Sequence, residues 1–72
     1  MAHLSPREYD RLERAVMDGR RIALVRQGRE VVVVPLRLFL RDGRELIEAR
    51  HPTTGHLMTS AIDELDAVDI LP

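Results

Sequence analysis

The stretch SPREYDRLERAVMDG, Ser5 to Gly19, closes a helix at both ends, and the pattern behind it cannot continue that helix. Ser5 is placed to accept from the first free backbone N–H groups, and Pro6 follows where its missing N–H costs nothing. Glu8 stands three residues after Ser5 and completes a capping box, while Leu4 can staple onto Tyr9. Tyr9, Leu12, Ala15 and Val16 then share one face at helical spacing. Arg7, Asp10, Arg11, Arg14 and Asp18 take the other. Asp10 and Arg14 have the spacing and order of a favourable ion pair. Gly19 supplies the left-handed stop. The spacing predicts a helix over about 6–18.

After Gly19 the period changes. Strands are expected over about 20–26, 30–40, 45–51, 56–62 and 67–71. Glu30–Val34 is too β-branched for a helix. Pro35 marks an edge or a bend. Leu36, Leu38 and Leu40 alternate onto one side. Gln27-Gly28, Arg41–Arg44 and Pro52–Gly55 are turn signals, and Asp63–Leu65 reads as one short helical turn. A single helix followed by five short strands makes the chain mostly β, with one N-terminal α-helix. The expected architecture is a small five-stranded Sm-like or SH3-like barrel capped by the helix. Closure would leave no strand edge exposed.

The chain has 72 residues, which allows one domain, spanning 1–72. A domain of this size buries only about 60% of its unfolded surface. There is no cysteine, which excludes disulfide staples and thiolate metal sites. No apolar run reaches the roughly 20 residues of a membrane helix, and no signal-peptide pattern opens the chain, so a cytoplasmic location is expected. The net charge of −1 hides a gradient. Residues 20–50 hold eight arginines against four acids, whereas residues 51–72 hold four acids and no arginine. Every basic side chain is arginine.

No catalytic constellation is visible. His3 stands near the terminus. His51 and His56 flank the Pro52–Gly55 turn, but no further ligands stand near them for a metal. Ser5, Thr53, Thr54, Thr59 and Ser60 lack a His–Asp pattern, and Asp63-Glu64 reads as solvated charge. The four glycines are scattered at turns and form no phosphate loop. The chain is therefore expected to be non-enzymatic, with no cofactor and no metal. Two binding surfaces remain. Arg26, Arg29, Arg37, Arg41, Arg44 and Arg50 could line one barrel face and meet phosphates. Phe39 interrupts the leucine side and is expected to face outward, as a single ring for base stacking. The exposed helix face could instead dock on a protein.

Tyr9-Asp10-x-Leu12-Glu13-x-Ala15, the Gly28 turn, Glu45-x-Ile47, Gly55 and Ile62-Asp63-x-Leu65 together resemble the Rof family, in order and with nearly the same spacing. The resemblance implies an Sm-like barrel behind a helix. It also implies an inhibitor that binds the transcription termination factor Rho and blocks its RNA site. Tyr9, Asp10 and Glu13 match the positions that make that contact, and Arg14, spaced to pair with Asp10, completes the expected partner surface. Pro6 and Leu46 depart from the family's usual cysteine and tyrosine. A second set is similar to WYL domains: Leu12-x-x-Ala15-Val16, Arg21, Pro35, Leu38, Arg41-Asp42-Gly43-Arg44-x-Leu46-Ile47-x-Ala49 and Ile62-Asp63-x-Leu65. Glu45-Leu46-Ile47 replaces that family's name-giving residues. This resemblance implies an Sm-like barrel that binds nucleic acid or a nucleotide ligand through the arginine face. The expected protein is a regulatory binding module, a monomer or weak homodimer, with a Rho-like hexamer as partner and RNA as the alternative.

Overall fold

The computed structural model describes residues 4–72, so His3 lies outside it. Helix α1 covers Pro6–Asp18. Ser5 Oγ accepts from the Glu8 N–H at 3.2 Å, and Glu8 Oε1 accepts from the Ser5 N–H at 3.2 Å, so the capping box is closed. Gly19 ends the helix at φ 66°, a conformation that its missing Cβ permits. The Asp10–Arg14 ion pair is not formed. Both side chains are exposed, and water competes well for each.

Five antiparallel strands follow: β1 Ile22–Arg26, β2 Arg29–Arg41, β3 Arg44–Arg50, β4 Leu57–Ala61 and β5 Ala67–Ile70. A 3-10 turn, Ile62–Glu64, joins β4 to β5, as the sequence leads one to expect. The β1–β2 and β2–β3 hairpins turn through Gln27-Gly28 and Asp42-Gly43, each with positive φ at both residues. That is the turn whose twist matches the flanking strands. Asp66 reinforces the first one, where Oδ2 accepts from the Gln27 N–H at 2.7 Å.

The strand order is β4-β3-β2-β1-β5, which makes β2 central. Pro35 therefore marks a bend and not an edge. It pairs with Ala49, and Arg37 pairs with Glu48, so Leu36 is one residue too many for its partner strand. Such a bulge kinks a strand and tolerates proline's missing donor. Before the bulge β2 pairs with β1, and through and beyond it with β3. The sheet curls so far that Met58 and Ser60 of β4 face Leu24 and Val31 across one cavity. The result is the small helix-capped, barrel-like β fold expected from the sequence.

Two expectations need correction. Leu36, Leu38 and Leu40 do not share a buried side. The bulge displaces Leu36, Leu40 overhangs into solvent, and only Leu38 packs on the core. Closure is also incomplete. β4 and β5 stand at opposite ends of the order with no ladder between them, because the Ile62–Asp66 connection carries the chain over the barrel end and sets β5 against β1. Side chains do the closing there, since Ile62 and Leu65 are buried in the core.

The core joins every layer: Leu12 and Ala15 of α1, Ile22 and Leu24 of β1, Val33 of β2, Ile47 and Ala49 of β3, with Ile62 and Leu65. Leu12 is 1% exposed, whereas Met17 on the same helix is 85% exposed. Leu12→Ala is expected to cost about 2–5 kcal/mol. Met17→Ala should stay within about 0.5 kcal/mol. Urea denaturation of both variants checks this, and equal losses would contradict the packing described.

Candidate partner-binding groove

The first turn of α1 leans over the β2–β3 hairpin and leaves a groove of about 520 Å³. Leu4, Pro6, Tyr9 and Asp10 form one wall, and Gly43, Arg44, Glu45, Ile62 and Asp63 the other. Leu4 and Tyr9, the expected staple pair, both pack on the core and line the same wall of the groove. Tyr9 is only half-buried, so its ring contributes both to packing and to the groove.

Burial pushes the Tyr9 phenol above its ordinary pKa, and the negative charges of Glu45 and Glu13 and a hydrogen bond with Glu45 push it the same way. The groove is thus acidic around a protonated phenol. Arg44, the one cation among its described lining residues, is occupied: Nη2 donates to Asp63 Oδ1 at 2.9 Å and to Glu64 Oε1 at 3.1 Å. Glu64 also reaches Arg26 at 3.9 Å. These pairs are exposed, so they hold side chains in place more than they add stability.

Three of the four residues expected to meet a partner gather here. Tyr9 and Asp10 line the groove, and Glu13, one helical turn past Tyr9, adds its charge to the phenol's surroundings. Arg14 does not join them. It lies on the far flank of the helix, in a separate cleft with Arg11, Asp18 and Arg20. Glu45 and Asp63 also belong to the groove, although the sequence marks them only as positions of the Rof resemblance and, for Asp63, as solvated charge. Only the approach of α1 to the hairpin brings them beside Tyr9.

The six arginines expected to form one basic face divide into groups. Arg26 and Arg29 stand at the rim of the barrel-end cavity of about 530 Å³ formed by Leu24, Val31, Met58 and Leu65 with neighbours. Arg37, Arg41, Arg44 and Arg50 lie on β2 and β3, around the bulge and hairpin. Acids neutralise several of them: Glu64 for Arg26, Glu48 for Arg37 at 3.2 Å, and Asp63 with Glu64 for Arg44. Phe39 is half-buried.

The histidine pair has a structural explanation. The His51 N–H donates to the His56 carbonyl at 2.8 Å, which brings the two residues together as expected. His51 Nδ1 accepts from the Thr53 and Thr54 N–H groups at 3.2 Å each, so that imidazole nitrogen holds the turn. Among the described residues no group of three or more His, Asp or Glu side chains is placed to hold a metal. No described helix is long and apolar enough to cross a membrane.

No protein-family model matches the chain, and no curated protein or solved structure matches it either.

Tyrosine is neutral when protonated, so a raised pKa in the fold means that the folded chain holds the proton more tightly than the unfolded chain. The stability this contributes is fully present below the ordinary value near 10 and is lost as pH rises through the raised one. Tyr9 is the chain's single tyrosine, so ultraviolet absorbance titration reads it alone. The expected midpoint lies above the ordinary value, and Glu45→Gln should lower it while burial keeps part of the shift. A midpoint at the ordinary value in the unmodified protein would contradict the groove as described.

Proposed function

We propose that the chain is a non-enzymatic regulatory module that docks its acidic groove on a basic, nucleic-acid-binding surface of a protein partner. One observation carries this reading: Asp10, Glu45 and Asp63 line a groove around a half-buried tyrosine, while Arg44, the only cation among its described lining residues, is tied to Asp63 and Glu64. A lysine or arginine entering the groove would meet the exposed carboxylates of Asp10 and Glu45 and the Tyr9 ring, whose π face suits a cation. A partner surface shaped for phosphates offers such side chains in number. Occupying it would exclude nucleic acid by competition for the same cations.

The resemblance of the Tyr9–Ala15 segment and its companions to the Rof family makes a Rho-like hexamer the partner of choice. In this reading Tyr9 is the anchor, Asp10 and Glu13 supply charge, and Glu45 holds the phenol. Arg14, on the other flank, stands outside the contact. Burial of the Tyr9 ring against the core fixes the helix relative to the hairpin, so the acids are presented without an ordering cost at docking.

Calorimetric titration against a Rho hexamer tests the proposal. Saturable binding is expected, and single-stranded RNA should compete with it. Asp10→Lys combined with Glu13→Lys should weaken binding by tenfold or more (about 1.4 kcal/mol) while circular dichroism stays unchanged, because both side chains are exposed. Unchanged affinity in the double variant would overturn the reading.

A further inference from the structure

A different face of the sheet carries an arrangement that the acidic groove does not use. Beyond the bulge, Arg37, Phe39 and Arg41 alternate on the side of β2 opposite Leu38, which packs on the core. The Arg37 guanidinium carbon lies 4.3 Å from the centre of the Phe39 ring, and that of Arg41 lies 5.5 Å from it. Alternate residues of a strand stand nearly 7 Å apart, so both arginines fold back over the ring. On β3, Leu46 stands opposite Phe39 and Glu48 opposite Arg37, with Arg50 two residues further along the same face.

The cations of this face have different roles. Arg37 donates Nε to Glu48 at 3.2 Å, which pins it as a plane beside the ring. Among the described residues Arg41 and Arg50 have no ion-pair partner. The face therefore offers a half-buried aromatic ring, planar guanidinium groups stacked beside it, and two cations with charge to spare.

We propose that the Arg37–Phe39–Arg41 face binds single-stranded nucleic acid. One unstacked base would extend the ring–guanidinium stack at its looser, Arg41 side, and neighbouring phosphates would meet Arg41 and Arg50. Stacking on an aromatic or guanidinium plane is how single strands are held without sequence preference. A duplex hides its base faces and gains only the phosphate contacts. An acidic peptide would use the charges and leave the ring idle. With one ring and two free cations, binding is weak and tolerant of sequence. This inference stands apart from the docking of the acidic groove, since it uses other residues and another ligand.

Fluorescence anisotropy with a labelled single-stranded RNA decamer tests it on the full chain, with the duplex of the same length and a glutamate decamer as competitors. Binding at low salt is expected, with a slope of log affinity against log salt of about −1.4 for two neutralised phosphates. Arg41→Gln, at an exposed position, should roughly halve that slope, and Phe39→Leu should weaken binding about tenfold with the slope kept. The Asp10→Lys, Glu13→Lys variant should still bind the RNA, and the Phe39 and Arg41 variants should still bind the Rho hexamer if that docking occurs, so either proposal can fail alone. Absence of binding at low salt would overturn the inference. So would an affinity unchanged by Phe39→Leu, a slope unchanged by Arg41→Gln, or displacement by the glutamate decamer or the duplex as effective as that by unlabelled single strand.

Discussion

The bend in β2 is the constraint on which the remaining structure depends. A 13-residue strand at the centre of a sheet would be stiff and nearly straight without it. The extra residue at Leu36, beside a proline that needs no ladder donor, lets one strand pair first with β1 and then with β3. The curl that results gives Ile22, Val33 and Ile47 a common interior, which α1 covers with Leu12 and Ala15. It also sets the β2–β3 hairpin under the first turn of the helix. Without the bend, Glu45 would not meet Tyr9 and the acidic groove would not exist.

Helix α1 therefore has two roles along different stripes. Leu12 and Ala15 are packing, and their loss would expose a core that a chain this small cannot replace. Asp10 and Glu13 are surface, free to meet a partner without cost to the fold. Tyr9 joins the two. Its ring touches the core, and its phenol sits among carboxylates. The arginines are divided in a similar way. Some fasten the Ile62–Glu64 turn to the hairpins through Glu64 and Asp63, and others stay open on the β2–β3 face. A basic sequence segment is not the same thing as a basic surface, because acids from a distant segment return to it in the fold.

Local features were legible in the sequence. The capping box and the Gly19 stop are each written within a few residues and form as read. Gly28 and Asp42-Gly43 announce their turns through residues that tolerate positive φ, and Gln27 is carried into it by the turn. The strand ranges differ from expectation by a residue or two at their ends, where pairing and not propensity decides. The features that escaped are all non-local. A bulge shows as a proline in an apolar run, but which residue is extra depends on the β3 register. Leu40 looks as apolar as Leu38, yet the curl leaves it 69% exposed. Arg14 follows Asp10 by one turn, yet it falls on the flank that faces Arg11 and Arg20. The partnership of Arg44 with Asp63 and Glu64 spans separations of 19 and 20 residues, and no spacing rule reaches that far. The open β4 and β5 edges have the same cause. Strand count predicts a barrel, but the path of the Ile62–Asp66 connection decides whether its last strand closes it.

Whether the acidic groove is the docking surface is tested most directly by a two-dimensional amide NMR titration of the isotope-labelled chain with a Rho hexamer. Signal loss is expected to begin at Leu4–Glu13 and Gly43–Glu45, on the two walls of the groove and the adjoining helical turn. Loss confined to Arg37–Arg41 and Glu48–Arg50, or spectra that do not change as the hexamer is added, would contradict it.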